Sequence, residues 1–184
     1  MNKIILLIIA CFSLTTCSLH KEFYESGNLK AKGKISDTLK NGKWKLFHKN
    51  GNLFQIGHYS NGNKTGEWKV YHETGELRQI GQFLNNQQNG EWNFYHQNGN
   101  HQGIGTLSYG KRIGTWKWYF KNGQLQTERN WNNGKLIEII SCYDGKGNEL
   151  DKGTFTEGNG TMKIYDIDGN LLNIEHYKNG QYIK

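Results

Sequence analysis

Tryptophan recurs at a fixed interval through the middle of this chain. Four tryptophans follow one another at a spacing of 24 residues: Trp44, Trp68, Trp92 and Trp116. A glycine stands two positions before each of them, and an aromatic residue stands three positions after: Phe47, Tyr71, Tyr95 and Tyr119. A fixed period in this range is the mark of a repeat array, in which each unit is stabilised mainly by its neighbours.

The same register extends towards both ends of the chain. It begins at Phe23 and reaches Gly180, with the last copy arriving two residues early. Two residues break the pattern late in the array, where Arg129 takes the place of a glycine and Ile140 that of a tryptophan. We count about seven units, and the outer ones are degenerate, as expected for copies that face water or a cap.

Each unit contains two stretches with the pattern of β-strands. Residues 43–48 alternate between two faces, and residues 53–59 follow after Asn50-Gly51. Asn-Gly between alternating segments is typical of a hairpin with a type I′ turn, so we expect that turn at Asn50-Gly51. A second, longer turn is expected over residues 61–66. The chain has 24 glycines and no proline, which favours tight turns and paired strands over helices.

These units predict an all-β fold. We expect an elongated antiparallel β-hairpin meander of about seven 24-residue repeats that forms a single twisted sheet. By strand parity, the tryptophan row and the aromatic row three positions later fall on opposite faces. One row is expected to form a continuous aromatic spine and the other a partly exposed strip, and a single bulge would exchange them. Gly57, Gly81 and Gly105 are expected to leave room for a ring of an adjacent strand.

The motif at residues 66–83 reads Gly-x-Trp-x-x-Tyr-His-x-x-Gly-x-Leu-x-x-x-Gly-x-Phe. This pattern resembles the MORN-repeat variant, where MORN stands for membrane occupation and recognition nexus. The resemblance covers residues 23–180. Bacterial chains built of this variant are often labelled YwqK-type antitoxins. The resemblance implies an elongated hairpin meander that is used for protein or membrane contact without catalysis.

The N-terminal residues are typical of an export signal. An apolar stretch at residues 4–14 follows a short positive segment and is too short to span a membrane as a helix. It leads into Leu-Thr-Thr-Cys17, which resembles a bacterial lipobox and predicts lipid attachment at Cys17. Lipidation at Cys11, ordinary cleavage and an uncleaved anchor are the alternatives. We therefore expect a lipoprotein-type signal peptide at 1–16, a tether at 17–22 and a MORN-variant repeat domain at 23–184.

No pattern of catalytic or metal-binding residues emerges, so we expect no enzyme, no metal and no cofactor. His48, His72 and His96 recur at one position. Equivalent strands of successive units lie about 10 Å apart, whereas His–Zn bonds are about 2 Å, so these histidines are expected to face solvent and not a shared ion. Residues 144–149 and 166–170 resemble calcium loops only faintly, and we expect hairpin loops there.

Charge is distributed unevenly along the chain. Residues 17–136 carry 17 Lys and Arg against 8 acidic residues, whereas residues 137–184 carry 5 against 8. A basic aromatic ribbon suits an acidic partner or anionic headgroups, although lysines at strand edges also prevent edge-to-edge aggregation. The export signal argues against a nucleic-acid ligand.

The combined prediction is a non-catalytic module of the bacterial envelope that binds a protein, held in the outer membrane as a lipoprotein. An immunity or antitoxin role is its sharper form. The predicted contact surface is the row that we call the tyrosine strip: Phe47, Tyr71, Tyr95 and Tyr119. The alternative is an envelope scaffold that binds lipid headgroups or cell-wall polymer.

Overall fold

The computed structural model describes residues 19–183, and every regular element in this part of the chain is a β-strand. The strands are β1 Leu19–Phe23, β2 Leu29–Ser36, β3 Leu39–Phe47, β4 Leu53–Ser60, β5 Asn63–Tyr71, β6 Leu77–Leu84, β7 Gln87–Tyr95, β8 His101–Ser108, β9 Lys111–Tyr119, β10 Leu125–Asn132, β11 Lys135–Cys142, β12 Gly160–Tyr165, β13 Leu171–Lys178 and β14 Gln181–Ile183. Strands β1 to β11 form one antiparallel sheet in sequence order, and β12 to β14 form a second sheet. The all-β meander is confirmed, but the single sheet expected from the sequence is divided into a long and a short one.

A glycine in each preceding strand lies under the ring of a repeat tryptophan. A Cβ atom built on Gly81 would fall 2.2 Å from Cδ2 of Trp92, a distance that no side chain tolerates. The same overlap recurs in the other units, for Gly33 under Trp44, Gly57 under Trp68 and Gly105 under Trp116. The predicted room for an aromatic ring is therefore confirmed, and the glycines are required because the rings cross the backbone there.

A bulge in the tryptophan strand produces this crossing. In β5 the three residues 66–68 stand opposite Gly57 alone. Gly66, the first of the three, has φ of +67°, which side chains rarely adopt. Trp68 then lies across the neighbouring strand, and its indole N–H donates a hydrogen bond to the carbonyl of His58 at 3.2 Å. The Gly-x-Trp motif thus forms one bulge with two steric requirements. One is a glycine with positive φ at its start, and the other is a glycine under the tryptophan ring in the neighbouring strand.

The tryptophans form the packed spine. Ring centroids follow one another at 5.1 to 6.4 Å from Trp44 to Trp131, which confirms the predicted continuous aromatic row. Trp44, Trp68 and Trp92 are 0% exposed. The face of the long sheet that carries them is called the Trp face below. Strand parity left open which of the two aromatic rows forms the spine. The structure shows that it is the tryptophan row.

The turn types differ from the prediction. At Asn50-Gly51 only the glycine has a positive φ, and the His48 amide donates to the Asn52 carbonyl at 2.8 Å, so this loop has three residues. The two left-handed residues of a type I′ turn stand instead at Asn61-Gly62, with φ of +46° and +79°. The same dipeptide occurs in both turns, so the pairing of the flanking strands decides which turn forms.

Hydrogen bonds link successive units at both edges of the long sheet. At one edge, the Gly62 amide donates to the Lys40 carbonyl at 2.9 Å, and equivalent bonds recur in later units. At the other edge, the Asn98 side chain donates to the Lys121 carbonyl at 2.7 Å. These bonds add to the strand ladder, so each unit is held by its neighbours at its turns as well as along its strands.

The sixth unit loses its second strand, which explains why the sheet ends at β11. The chain bends next to Gly153 instead of pairing with β11 as a further strand. Gly153 has φ of +96°, and a Cβ there would lie 2.3 Å from the Thr161 carbonyl oxygen, so only glycine fits at this position. This bend falls in the unit where Ile140 replaces a tryptophan, one strand after Arg129 replaces a glycine. Because the ring-over-glycine packing is absent there, the end of the spine needs another cover.

The short sheet supplies that cover. Met162 and Tyr177 belong to the same buried cluster as Trp116, Trp131 and Leu136 of the long sheet. Backbone hydrogen bonds hold the last hairpin at both ends, from the Gly145 amide to the Ile167 carbonyl at 2.7 Å and from the Leu136 amide to the Gly180 carbonyl at 2.8 Å. The last unit therefore packs on the Trp face as a cap.

The N-terminal boundary of the array also differs from the prediction. Residues 19–22, which we expected to be part of a tether, belong to β1 and pair with β2. Lys40 also forms an ion pair with Glu22, with 2.9 Å between Nζ and Oε1. The ordered array therefore begins before Phe23, because β1 covers the otherwise open edge of β2.

Candidate functional site

The tyrosine strip is half-buried. All four of its residues have intermediate exposure. Lys32 lies over the ring of Phe47, with Nζ 5.6 Å from the centroid. The His101 ring lies 4.8 Å from that of Tyr95 and 6.2 Å from that of Tyr119, so it lies between these two rings of the strip. Its role as a contact surface stays a prediction.

The repeated histidines join neighbouring units, and the prediction that they face solvent is wrong. Nε2 of His48 lies 3.1 Å from the Tyr71 carbonyl, and Nε2 of His96 lies 2.8 Å from the Tyr119 carbonyl. His72 occupies the same position, but its Nε2 is buried without a hydrogen-bond partner among residues 19–183. In that range, no group of three or more His, Cys, Asp or Glu side chains is placed to hold a metal ion.

Cations lie over the aromatic rings of the Trp face. The Nζ atoms of Lys40 and Lys64 each lie 4.2 Å from the ring centroid of the tryptophan four positions later. Gln88 and Arg112 occupy the position of Lys40 and Lys64 in the next two units, and these four residues form one column along the array. Burial, and to a smaller extent the charge of Lys40, lowers the pKa of Lys64. The Trp face therefore presents cationic side chains that lie over aromatic rings.

Arg112 stands where three hollows of the Trp face adjoin, with volumes of about 150, 460 and 470 Å³. The central groove, of about 460 Å³, is lined by residues that include Gln88, Phe94, Leu107 and Arg112. The arginine cleft, of about 470 Å³, lies between the long and short sheets and is lined by residues that include Arg112, Arg129, Trp131, Glu175, Tyr177 and Tyr182. The two spaces form one depression that follows the array towards its cap.

Both arginines of the cleft rest on indole rings. Cζ of Arg112 lies 4.9 Å from the ring centroid of Trp131, and Cζ of Arg129 lies 4.6 Å from that of Trp118. Nε of Arg129 donates to Oγ1 of Thr127 at 2.9 Å. No carboxylate oxygen within residues 19–183 lies within 4.0 Å of either guanidinium. The two guanidiniums are thus positioned over aromatic rings and form no ion pair with a described residue.

Burial dominates the electrostatics of the cleft. It lowers the pKa of both guanidiniums. The nearby Tyr177 and Glu175 partly offset this by raising the pKa of Arg129, and the charge of the other arginine lowers that pKa again to a smaller extent. Burial also raises the pKa of Tyr177, together with the hydrogen bond that its hydroxyl donates to Oε2 of Glu175 at 2.8 Å. Arginine stays charged at neutral pH, so the cleft holds two cations with reduced access to water.

Sequence reasoning did not identify Arg112 or Arg129 as site residues. Arg129 was visible as the residue that interrupts the glycine row, and Arg112 as the continuation of the Lys40 and Lys64 column. Neither signal places the two side chains opposite Glu175, because the last hairpin reaches them only after the chain bends back. The candidate site is therefore a product of the cap.

Two acidic turns are closed by their own side chains, which confirms the predicted hairpin loops. Oδ1 of Asp144 accepts the backbone amides of Lys146 and Asn148 at 2.8 and 2.9 Å. Asp166 makes the same pair of bonds within its turn, to the amides of Asp168 and Asn170. These hydrogen bonds, with the side chain of the asparagine as the largest contribution, lower the pKa of both carboxyl groups.

These turns predict an acid-sensitive stability. Because the folded-state pKa of each carboxyl lies below the ordinary value of 3.8, the unfolded chain binds protons first as the pH falls. The contribution of these two groups to the free energy of unfolding should be constant above about pH 5 and should decrease from about pH 4 through the folded-state pKa. Urea unfolding at a series of pH values should show a smaller decrease for the double variant Asp144→Asn, Asp166→Asn.

The control is Asp168→Asn, because the Asp168 carboxylate accepts no hydrogen bond from the described residues although it lies in the same turn. This variant should keep the pH dependence of the parent chain. If the double variant kept the pH dependence of the parent chain, this would contradict the assignment of the acid sensitivity to Asp144 and Asp166.

The predicted signal peptide and Cys17 lie outside the described residues. Within residues 19–183, no helix is present that would be long and apolar enough to cross a membrane. The lipid attachment expected at Cys17 therefore stays a prediction.

The fold defines a class of protein: an open antiparallel repeat array. A family model described as "MORN repeat variant" matches six segments, at residues 18–35, 40–61, 64–85, 88–108, 112–133 and 159–179. These segments cover more than half of the chain, so the chain belongs to the MORN repeat variant family. Repeats of this family are in general non-enzymatic binding modules. The unmatched interval contains the unit that lacks its second strand.

Other comparisons add no argument about function. No match to a curated protein was found. Among solved structures, the chain shows similarity to ASR alternansucrase in complex with isomaltononaose, with 16% sequence identity, a TM-score of 0.16, and coverage of 90% of this chain and 16% of that one. The chain thus spans about a sixth of that protein's length. A TM-score this low supports no conclusion about shared fold or activity.

Proposed function

We propose that this chain is a non-catalytic protein-binding module that a lipid on Cys17 holds at a bacterial envelope. The observation that carries the proposal is the depression on the Trp face, where the central groove and the arginine cleft meet at Arg112. Recessed Trp, Tyr and Arg side chains are enriched among the residues that dominate binding energy at protein interfaces. The depression follows the array, so it accommodates an extended segment of a partner.

The central groove gives a direct test by obstruction. Leu107 lines the groove, and Trp131 holds the equivalent place one unit later, so Leu107→Trp is expected to fold while filling the space. The full chain, immobilised and exposed to a bacterial envelope extract, should capture a protein in a saturable manner. The Leu107→Trp variant should lose that capture, and circular dichroism should show an unchanged β-sheet spectrum.

The tyrosine strip provides the matched comparison on the other face of the sheet. Tyr71→Ala should leave capture unchanged if the partner occupies the Trp face. Loss of capture in Tyr71→Ala alone would move the contact surface to the strip. Absence of any saturable protein partner would contradict the proposed function, including its antitoxin or immunity form.

The basic charge of residues 17–136 favours a second function, an envelope scaffold that binds lipid headgroups or wall polymer. Sedimentation of the chain with anionic vesicles or with sacculi, in the absence of its lipid, tests this alternative. Two results together would favour the scaffold over the protein-binding module. The parent chain would lose its binding at high salt, and the Leu107→Trp variant would still bind at low salt.

A further inference from the structure

The arginine cleft contains two guanidiniums without a counter-ion among the described residues. Arg112 makes no side-chain hydrogen bond there, and Arg129 donates only through Nε to Thr127. Each guanidinium has five N–H donors, so most of these donors have no protein acceptor. Both groups lie over tryptophan rings. The cleft therefore presents N–H donors to whatever enters it.

The acidic residue of the cleft, Glu175, raises the pKa of Arg129 by its charge but forms no ion pair with either arginine. Glu175 lines the same space, but its Oε2 accepts the Tyr177 hydroxyl at 2.8 Å, and neither of its oxygens lies within 4.0 Å of an arginine. A planar guanidinium matches a carboxylate in two parallel hydrogen bonds, which are among the stronger ones in proteins. An entering carboxylate would thus gain contacts that Glu175 does not make.

We propose that the arginine cleft binds the carboxylate of an acidic segment of a protein partner, with Arg112 and Arg129 as its donors. This inference rests on the proposed protein-binding function and names the chemistry of the partner. The cleft, at about 470 Å³, has room for one or two side chains. The exposed ring of Tyr182 and the buried ring of Trp131 line it and pack against the methylene groups of such a side chain.

The shape of the site favours an extended segment over a bilayer surface. The guanidiniums lie between two sheets, and half of the Tyr182 ring is exposed at the same opening. A planar array of headgroups meets the outermost cations first, whereas a single chain enters a cleft and continues into the central groove. Arg112 lines both spaces and therefore marks the path of that chain.

A titration with a defined peptide tests the inference without a known partner. The probe is an acetylated and amidated peptide of alternating Ala and Glu, and its control is the same peptide with Gln in place of Glu. Binding to the full chain is followed by tryptophan fluorescence, since the cleft contains indole rings. The Glu peptide should bind at least about tenfold more tightly than the Gln peptide, because only a carboxylate forms charge-assisted bonds to the guanidiniums.

Arg112→Gln is the central variant because Gln88 occupies the same position one unit earlier, so the array already accommodates this side chain. It should weaken binding of the Glu peptide by about tenfold or more. Arg129→Lys keeps the charge but not the paired donors, and it should also weaken binding. Lys64→Gln removes a cation from the same column outside the cleft, and it should leave the affinity within about twofold.

Four results would overturn the inference. Equal binding of the Gln peptide would exclude the carboxylate, and equal losses in Lys64→Gln and Arg112→Gln would indicate general charge attraction. Competition by inorganic phosphate at concentrations below that of the peptide would assign the cleft to phosphate groups. The outcome is separable from the proposed function: a captured partner that Arg112→Gln still binds fully would refute the carboxylate site alone, whereas peptide binding without any captured protein would refute the module alone.

Discussion

Gly81→Ala should lower the free energy of unfolding by about 3 kcal/mol, the upper part of the usual range for overpacking a core. The new Cβ atom would lie 2.2 Å from Cδ2 of Trp92, so the indole must move. That ring is 0% exposed, and its N–H donates to the Gln82 carbonyl at 3.2 Å. It also packs edge-on against Phe83 with centroids 5.4 Å apart. A displaced ring would lose these contacts together.

A second strand glycine provides the control. At Gly103 the added Cβ would meet Cδ1 of Trp118 at 3.5 Å, an ordinary contact, and its φ is not in the left-handed region. Gly103→Ala should therefore be neutral or stabilise the fold by up to about 1 kcal/mol, because alanine restricts the unfolded chain. Urea unfolding followed by circular dichroism measures both variants. Similar destabilisation at the two positions would mean that glycine is needed for backbone reasons and not for the ring.

Trp92→Ala is expected to cost about 3–5 kcal/mol, since it removes a fully buried aromatic side chain from the middle of the spine. The ring lies between those of Phe83 and Phe94, at 5.4 and 6.1 Å between centroids. Its loss should therefore weaken the packing of the units on both sides. The midpoint of urea unfolding gives the cost, and a shallower transition would show that cooperation between units is also reduced.

The two substitutions should not be additive. In the Trp92→Ala background there is no ring above residue 81, so Gly81→Ala should cost little there. The double-mutant cycle should give a coupling of about 2 kcal/mol or more, opposite in sign to the two single effects. Additive effects would show that the cost of Gly81→Ala does not arise from a clash with Trp92.

The regular part of the fold could be predicted from the sequence because its requirements are local and repeated. The glycine under each ring and the left-handed glycine before each tryptophan are steric needs of one bulge, so they recur with the 24-residue period. The turns show where prediction from the local sequence fails. Asn50-Gly51 and Asn61-Gly62 carry the same dipeptide, yet only the second forms the two-residue turn, since loop length depends on the register of the paired strands.

The candidate site was less accessible to sequence reasoning. The tyrosine strip could be located by its spacing, and all four of its residues are half-buried. The arginine cleft could not, because Arg112 and Glu175 are far apart in the chain and no periodic signal relates them. The histidine row was misread for a related reason: its partners are carbonyls of the following unit, and a residue pattern does not display backbone acceptors.

The sequence by itself determined the repeat, its strands and the glycines on which the rings lie, since each of these depends on residues within one unit and its neighbour. The tertiary structure decided where the sheet stops and what covers its last ring. It did so because the bend at Gly153 returns Met162 and Tyr177 to the Trp face, and burial of that cluster comes from contacts between distant segments. The arginine cleft exists only as a consequence of that return.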